Sequence, residues 1–137
     1  MNMRKKKTKT DTIKKFWDII EDEVTTLSEE MRNNEENLSV SDGLISTYKY
    51  QTISETADYL EESKDCLESL KEEIQKIEEN KITVFWSSVY WRSRPKRISQ
   101  ILNILKSLEM YFIGDSKGIY DEMITSLENC EFPKMYG

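Results

Sequence analysis

Between Ile53 and Glu79 the sequence carries an apolar repeat that only a few folds can accommodate. Four apolar residues recur at every seventh position: Ile53, Leu60, Leu67 and Ile74. Seven residues are close to two helical turns, so these side chains share one face of an α-helix roughly 40 Å long. A helix with one narrow apolar stripe must bury that stripe against partners. The segment therefore predicts a long central helix inside a bundle, with pairing of two copies into a homodimer through the same seam as the alternative.

Three further segments show apolar residues at steps of three or four and can pack against this helix. One follows a candidate N-cap at residues 10–12 and continues to Met31, with a polar connection at residues 32–43. The other two form a helical hairpin that begins near Pro95 and is divided at Gly114. These segments and the long helix predict an all-α bundle of about four helices.

Two segments leave an alternative fold open. Residues 44–53 and 82–91 are rich in β-branched and aromatic side chains, which favour strands, although both also fit helical faces. If both were strands, they could pair as a two-stranded ribbon beside the long helix, giving an α+β fold. A single ribbon is marginal unless it packs against helices, so the all-α bundle is the preferred prediction.

The domain organisation follows from length and from the first residues. A chain of 137 residues is long enough for one domain with a buried core. Residues 1–9 are rich in lysine and have no apolar run behind them, so they predict a disordered basic arm and not a secretory signal. Residues 10–137 are predicted to form a single helical domain.

Charge is distributed unevenly along the chain. Residues 1–15 have seven basic and one acidic residue, residues 16–80 have five and nineteen, and residues 81–137 have eight and six. The net charges are therefore +6, −14 and +2. An acidic body repels nucleic acid over most of its surface, so any nucleic-acid contact would use the basic arm or a basic cluster near the C-terminal hairpin.

The chain lacks most of the residues on which common catalytic mechanisms depend. The chain has no histidine, and its two cysteines are far apart, at no spacing that predicts a metal or redox site. Two reduced thiols, no secretory signal and no membrane-length apolar run predict a cytoplasmic protein without a membrane or cofactor. Acidic pairs such as Glu128 with Glu131 leave a metal-dependent nucleotide hydrolase as a remote candidate, and the prediction is a protein that is not an enzyme.

The stretch from Ile82 to Arg97 is a candidate binding site. It places three aromatic residues before four basic residues: Trp86, Tyr90, Trp91, Arg92, Arg94, Lys96 and Arg97. The cations lead into a helix N-terminus, which carries positive partial charge and prefers anions. Either the acidic long helix neutralises them, or they bind an anionic partner such as a nucleic acid or an acidic protein surface.

The exposed side of the long helix is the second candidate. It carries six carboxylates in the predicted acidic surface: Glu61, Glu62, Asp65, Glu68, Glu72 and Glu73. The leading functional hypothesis is a small adaptor, inhibitor or immunity-type protein that offers this surface to a basic protein partner. The alternative is a nucleic-acid-binding accessory protein that uses the basic arm and the Arg92–Arg97 cluster.

Overall fold

The structure, a computed structural model, describes residues 7–39, 47–77, 81–86 and 93–133; for residues 7–11, 39 and 81–86 only the backbone is described. It confirms the all-α bundle and adds one short two-stranded ribbon. The elements are β1 (Lys7–Thr12), α1 (Ile13–Ser39), α2 (Tyr48–Ser69), α3 (Lys71–Lys76), β2 (Lys81–Trp86), α4 (Arg94–Ser107), a 3₁₀ turn (Glu109–Tyr111) and α5 (Asp115–Glu128).

Helix α1 begins where a threonine caps it. The Thr12 hydroxyl oxygen accepts a hydrogen bond of 3.2 Å from the Lys15 amide, which satisfies one of the free donors of the first turn. The helix then continues to Ser39, so the prediction of a polar connection is wrong for residues 32–39, and residues 40–43 lie outside the described part. Arg32 pairs with Glu35 one turn later, and Leu38 packs against the core, which explains the extra helical turns.

The central helix starts earlier than the repeat suggested. The Thr47 hydroxyl oxygen accepts a hydrogen bond of 3.1 Å from the Tyr50 amide, and α2 follows at once. Residues 48–53 are therefore helical, and the alternative of a strand there is wrong; residues 44–46 lie outside the described part. The capped start adds a turn and a half that packs Thr52 and Ile53 into the core.

The same helix is interrupted at Leu70, where α2 ends and α3 begins. The Leu67 carbonyl oxygen accepts a hydrogen bond of 3.0 Å from the indole nitrogen of Trp17. In an uninterrupted helix this oxygen would accept from the amide of residue 71. One buried side chain of α1 thus competes for a backbone acceptor of α2, and the predicted single helix becomes two.

The ribbon pairs β1 with β2 in antiparallel register, with Lys7 opposite Trp86 and Thr12 opposite Lys81. A strand at residues 82–86 is thus observed, but its partner is the segment before α1 and not residues 44–53. Threonine at every second position of β1 favours a strand. Residues 7–9 of the predicted arm belong to β1, while residues 1–6 and 87–91 lie outside the described part.

The C-terminal hairpin keeps its predicted start but not its predicted turn. Pro95 lies in the first turn of α4, as predicted. The helix ends at Ser107, and the 3₁₀ turn carries the chain to Phe112, which is fully buried. Gly114, at φ +69°, precedes α5 as its N-cap and so begins the second helix instead of ending the first.

The core lies along the inner side of α2, which packs between α1 and α5, while α4 packs against α5. The four apolar residues of the heptad repeat are 0–1% exposed, because helices of the same chain cover them. Trp17 is also core, as its position on the apolar stripe of α1 indicates. Its ring lies 5.6 Å from that of Phe112, which stacks on Tyr120 at 5.2 Å.

Tyr120 is the last of these three rings, and its hydroxyl donates a hydrogen bond of 2.8 Å to the Leu105 carbonyl oxygen. Burial, with the nearby carboxylates of Glu109 and Asp121, raises the pKa of Tyr120 to about 12. The phenol therefore stays neutral and fixes α5 against α4.

Candidate functional site

Two arginines of the predicted basic cluster face α1 and meet its glutamates. Arg97 Nε donates to Glu23 Oε2 at 2.7 Å, and Arg97 Nη2 donates to Glu30 Oε2 at 3.5 Å. Arg94 Nε donates to the other oxygen of Glu30 at 2.8 Å. The side chains of Arg97 and Glu23 are only 12% and 13% exposed. These pairs join the first turn of α4 to the middle of α1.

We call this contact between α1 and α4 the seam. Its electrostatics explain why two arginines can lie at a helix N-terminus. Burial raises the pKa of the Glu30 carboxyl, but hydrogen bonds and charge from Arg94 and Arg97 outweigh burial, so its pKa lies below the ordinary value. The first turn of α4 has no acidic residue of its own. The carboxylates that pair with Arg94 and Arg97 come from α1, and not from the long helix as one of the two alternatives predicted.

The structure describes the side chains of three of the seven predicted binding residues, namely Arg94, Lys96 and Arg97. Lys96 points to solvent and has no carboxylate within 4 Å in the described part of the chain. Trp86 ends β2, where only the backbone is described. Tyr90, Trp91 and Arg92 lie outside the described residues. Within the described part of the cluster, two arginines are paired and Lys96 is exposed.

The outer side of the central helix carries a continuous row of exposed carboxylates. We call it the acidic face, and it consists of Glu55, Asp58, Glu61, Glu62, Asp65, Glu68 and Glu72. Five of the six predicted residues belong to it. The sixth, Glu73, is half-buried and pairs with Lys76 at 3.7 Å. The prediction missed Glu55 and Asp58, although steps of three residues connect them to Glu61.

One arginine of α1 borders the acidic face. Arg32 Nη2 lies 2.6 Å from Asp58 Oδ1 and 2.7 Å from Glu61 Oε1, and Arg32 Nε donates to Glu61 Oε2 at 2.9 Å. The Arg32 hydrogen bond lowers the pKa of Glu61, and burial opposes this only in part. The remaining carboxylates have no cation within 4 Å among the described residues: Glu55, Glu62, Asp65, Glu68 and Glu72.

A groove runs between α1 and α2 along the edge of the acidic face. It has a volume of about 450 Å³. Its walls come from both helices, namely Thr25, Ser28, Glu29, Arg32 and Asn33 of α1 and Glu61, Lys64 and Asp65 of α2. Two of the acidic-face carboxylates therefore face solvent and line this groove at the same time.

The candidate carboxylate pair and the two thiols have the following surroundings. Glu128 pairs with Lys106 at 3.0 Å, and Glu131 Oε1 accepts a hydrogen bond of 3.3 Å from the Tyr48 hydroxyl. In the part of the chain that is described, no group of three or more acidic or cysteine side chains could hold a metal ion. Burial raises the pKa of both thiols, that of Cys130 to about 12, so both are protonated at neutral pH.

Comparisons of the chain with protein-family models, with curated proteins and with solved structures find no match. Among the described helices, none combines the length and the apolar character needed to cross a membrane. The charge and geometry of the surface are therefore the basis on which a function is inferred.

Proposed function

We propose that this chain is a small non-enzymatic adaptor, inhibitor or immunity-type protein, and that it binds a basic protein partner through the acidic face. The single observation that carries the proposal is the row of exposed carboxylates along α2 and the start of α3, five of them without a cation nearby in the described part. From Glu55 to Glu72 the row is about 25 Å long, from a rise of about 1.5 Å per residue.

The helix that carries the row is held firmly from behind. The Thr56 hydroxyl donates to the Glu131 carbonyl oxygen at 2.8 Å and accepts from the Glu131 amide at 2.9 Å. Leu60 and Leu67 on the same inner side are fully buried. Because the backbone is already ordered, a partner would have to immobilise only the carboxylate side chains, which lowers the entropic cost of binding.

Physics favours a basic partner for such a surface. A row of like charges attracts an oppositely charged surface over about one Debye length, near 10 Å at moderate ionic strength. This attraction speeds association and weakens as salt is added. The partner's Lys and Arg residues would also relieve the repulsion between neighbouring carboxylates of the face.

The nucleic-acid alternative receives less support from the described residues. Arg94 and Arg97 use their donors on Glu30 and Glu23, so phosphate groups would have to compete with carboxylates that are already bound. A gel-shift with single- and double-stranded nucleic acid at low salt tests this alternative, and a clear shift would favour it.

The proposal is tested by measuring how an isolated partner associates with the native chain and with two matched variants. The partner is recovered by affinity purification with the full chain, and its association rate is measured at low and high salt. Glu62→Gln/Glu68→Gln removes two unpaired charges from the acidic face. Asp22→Asn/Glu122→Gln removes two exposed charges from α1 and α5, with the same change in net charge.

We expect the acidic-face variant to associate at least about threefold more slowly at low salt, with a smaller difference at high salt. The matched variant should stay within roughly twofold of the native chain, since its charges lie on other faces. A partner that binds the acidic-face variant as fast as the native chain, or that is indifferent to salt, would show that this surface is not the interface.

A further inference from the structure

The groove between α1 and α2 contains a buried polar group without a partner. Ser28 lines the groove and is only 6% exposed, and no described residue forms a hydrogen bond with its hydroxyl. Its neighbours behave differently, because Thr25 and Thr26 donate to the carbonyl oxygens of Glu21 and Asp22 at 2.9 and 3.0 Å. A serine in this position usually bonds back to its own helix.

The Ser28 hydroxyl is not fully enclosed, and Ser28 lines the groove. Every fully enclosed side-chain nitrogen or oxygen of the described residues has a hydrogen-bond partner. The oxygen of Ser28 therefore retains contact with the groove, where a bound group could reach it. Buried polar groups generally find a partner, so this hydroxyl is an open hydrogen-bonding position in the lining of the groove.

The charged groups around this hydroxyl favour a cation. The lining contains three carboxylates and two cations, which gives a net charge of −1. Arg32 and Glu61 neutralise each other in an ion-pair cluster with Glu35 and Asp58, at 2.6–3.0 Å. The other charged residues of the lining are Glu29, Lys64 and Asp65. Glu29 and Asp65 have no cation within 4 Å in the described part, so two acceptors remain for an incoming donor.

Building on the proposed function, we propose that this groove receives an arginine side chain of the basic partner. The guanidinium group would donate to Glu29 and Asp65 and to the Ser28 hydroxyl oxygen. The volume of about 450 Å³ lies within the range of roughly 300–1,000 Å³ that is typical of sites for small ligands. The lining is too polar for an apolar anchor, which would leave these carboxylates desolvated and unpaired.

Arginine fits this groove better than lysine or a metal ion. A guanidinium presents five donors in a plane and can serve acceptors on both walls at once, whereas an ammonium is a compact, strongly hydrated charge. Metal ions need several oxygen ligands at one point, and the described residues provide no group of three or more such side chains. Lys64 also lines the groove, where its charge acts on Glu61.

The test titrates the full chain with a blocked arginine, N-acetylarginine methylamide, and follows backbone amide shifts by NMR. We expect saturable shifts confined to residues 25–33 and 61–65. Asp65→Asn should weaken the apparent affinity by about fivefold, since it removes a charge-assisted hydrogen bond. The control Glu68→Gln, on the acidic face but outside the groove, should stay within about twofold.

Ser28→Ala should also weaken arginine binding, by about twofold, while leaving the fold intact because alanine suits a helix interior. N-acetyllysine methylamide should bind at least about threefold more weakly than the arginine probe. Equal effects of Asp65→Asn and Glu68→Gln, shifts spread along the whole acidic face, or equal binding of the lysine probe would each overturn the inference.

The two proposals fail in different ways. If the partner needs Glu62 and Glu68 but the arginine probe does not bind in the groove, the groove inference is wrong and the acidic face stands. If the probe binds through Asp65 but the partner ignores the loss of Glu62 and Glu68, the groove binds guanidinium and the proposed function is wrong.

Discussion

The seam between α1 and α4 and the acidic face of α2 and α3 use the same kinds of residue in opposite ways. In the seam, Glu23 and Glu30 lie against Arg97 and Arg94, and the closest pair is nearly buried. On the acidic face, five exposed carboxylates have no cation within 4 Å among the residues described. Ion pairs close the bundle on one side, and unpaired charge is presented to solvent on the other.

Burial explains the difference. A charge that is largely removed from water needs a partner, because losing the partner leaves it desolvated. A charge that remains hydrated needs none, and its removal changes stability little. Paired charges in the seam are therefore expected to matter for folding, whereas those of the acidic face are expected to matter for binding.

The largest expected effect is on the seam. Arg97→Ala should lower the free energy of unfolding by roughly 2–3 kcal/mol, because it leaves Glu23 nearly buried without a cation. Urea denaturation followed by circular dichroism measures this change. The control is Lys96→Ala on the same helix turn, which is exposed and should change stability by less than about 0.5 kcal/mol. Equal stability of the two variants would contradict a folding role for the seam.

A smaller effect is expected on the inner side of the helix that carries the acidic face. Thr56→Val should cost about 1–2 kcal/mol, because the Glu131 amide and carbonyl both lose their partner. Hydrogen exchange at the Glu131 amide should become much faster. Thr52 is also buried, but its hydroxyl forms no hydrogen bond with a described residue. Thr52→Val should therefore change the free energy of unfolding less than Thr56→Val. If both valine variants behave alike, Thr56 does not anchor the C-terminal segment.

The seam also predicts a pH dependence. The pKa of Glu30 is lowered in the folded state, so its stabilising contribution is present above the ordinary value of 4.5 and is lost as the pH falls below it. Glu30→Gln should therefore be less stable than the native chain near neutral pH, and the difference should shrink below pH 4.5. Urea midpoints over this range measure it, with Lys96→Ala as the control whose curve should parallel the native one. A constant difference at all pH values would exclude this contribution.

The smallest effect on stability is expected on the acidic face itself. Glu62→Gln/Glu68→Gln should change the free energy of unfolding by less than about 0.5 kcal/mol, and repulsion relieved between carboxylates would make the change favourable. The same urea experiment measures it. A loss above about 1 kcal/mol would mean that the face has a structural role, and the contrast with the seam would no longer hold.

Much of the fold was predictable because apolar periodicity is a local property. The heptad residues, the stripe of α1 and the Pro95 start all lie where the spacing placed them. The helix ends were harder to predict from the sequence, since they depend on single hydrogen bonds. Thr47 starts α2 early, and the Trp17 indole takes the Leu67 carbonyl oxygen and interrupts the helix at Leu70.

The candidate site shows the same division. The acidic face follows from spacing along one helix, and continuing the steps back from Glu61 would also have found Asp58 and Glu55. The partner of the Arg94 and Arg97 pair could not be predicted in this way, because acidic residues occur on every helix that might have packed beside α4. The groove at Ser28 could not be predicted from the sequence, since no local pattern distinguishes this serine from others on a helix face.

The sequence by itself determined the helices, their buried faces and the segregation of charge, because each depends on residues within a few turns of one another. Only the tertiary structure decided that β1 pairs with β2, that Glu23 and Glu30 of α1 neutralise the arginines of α4, and that Ser28 is left open in a groove. The physical reason is that contacts between distant segments depend on which faces pack together, and many helices in this chain offer faces of similar apolarity.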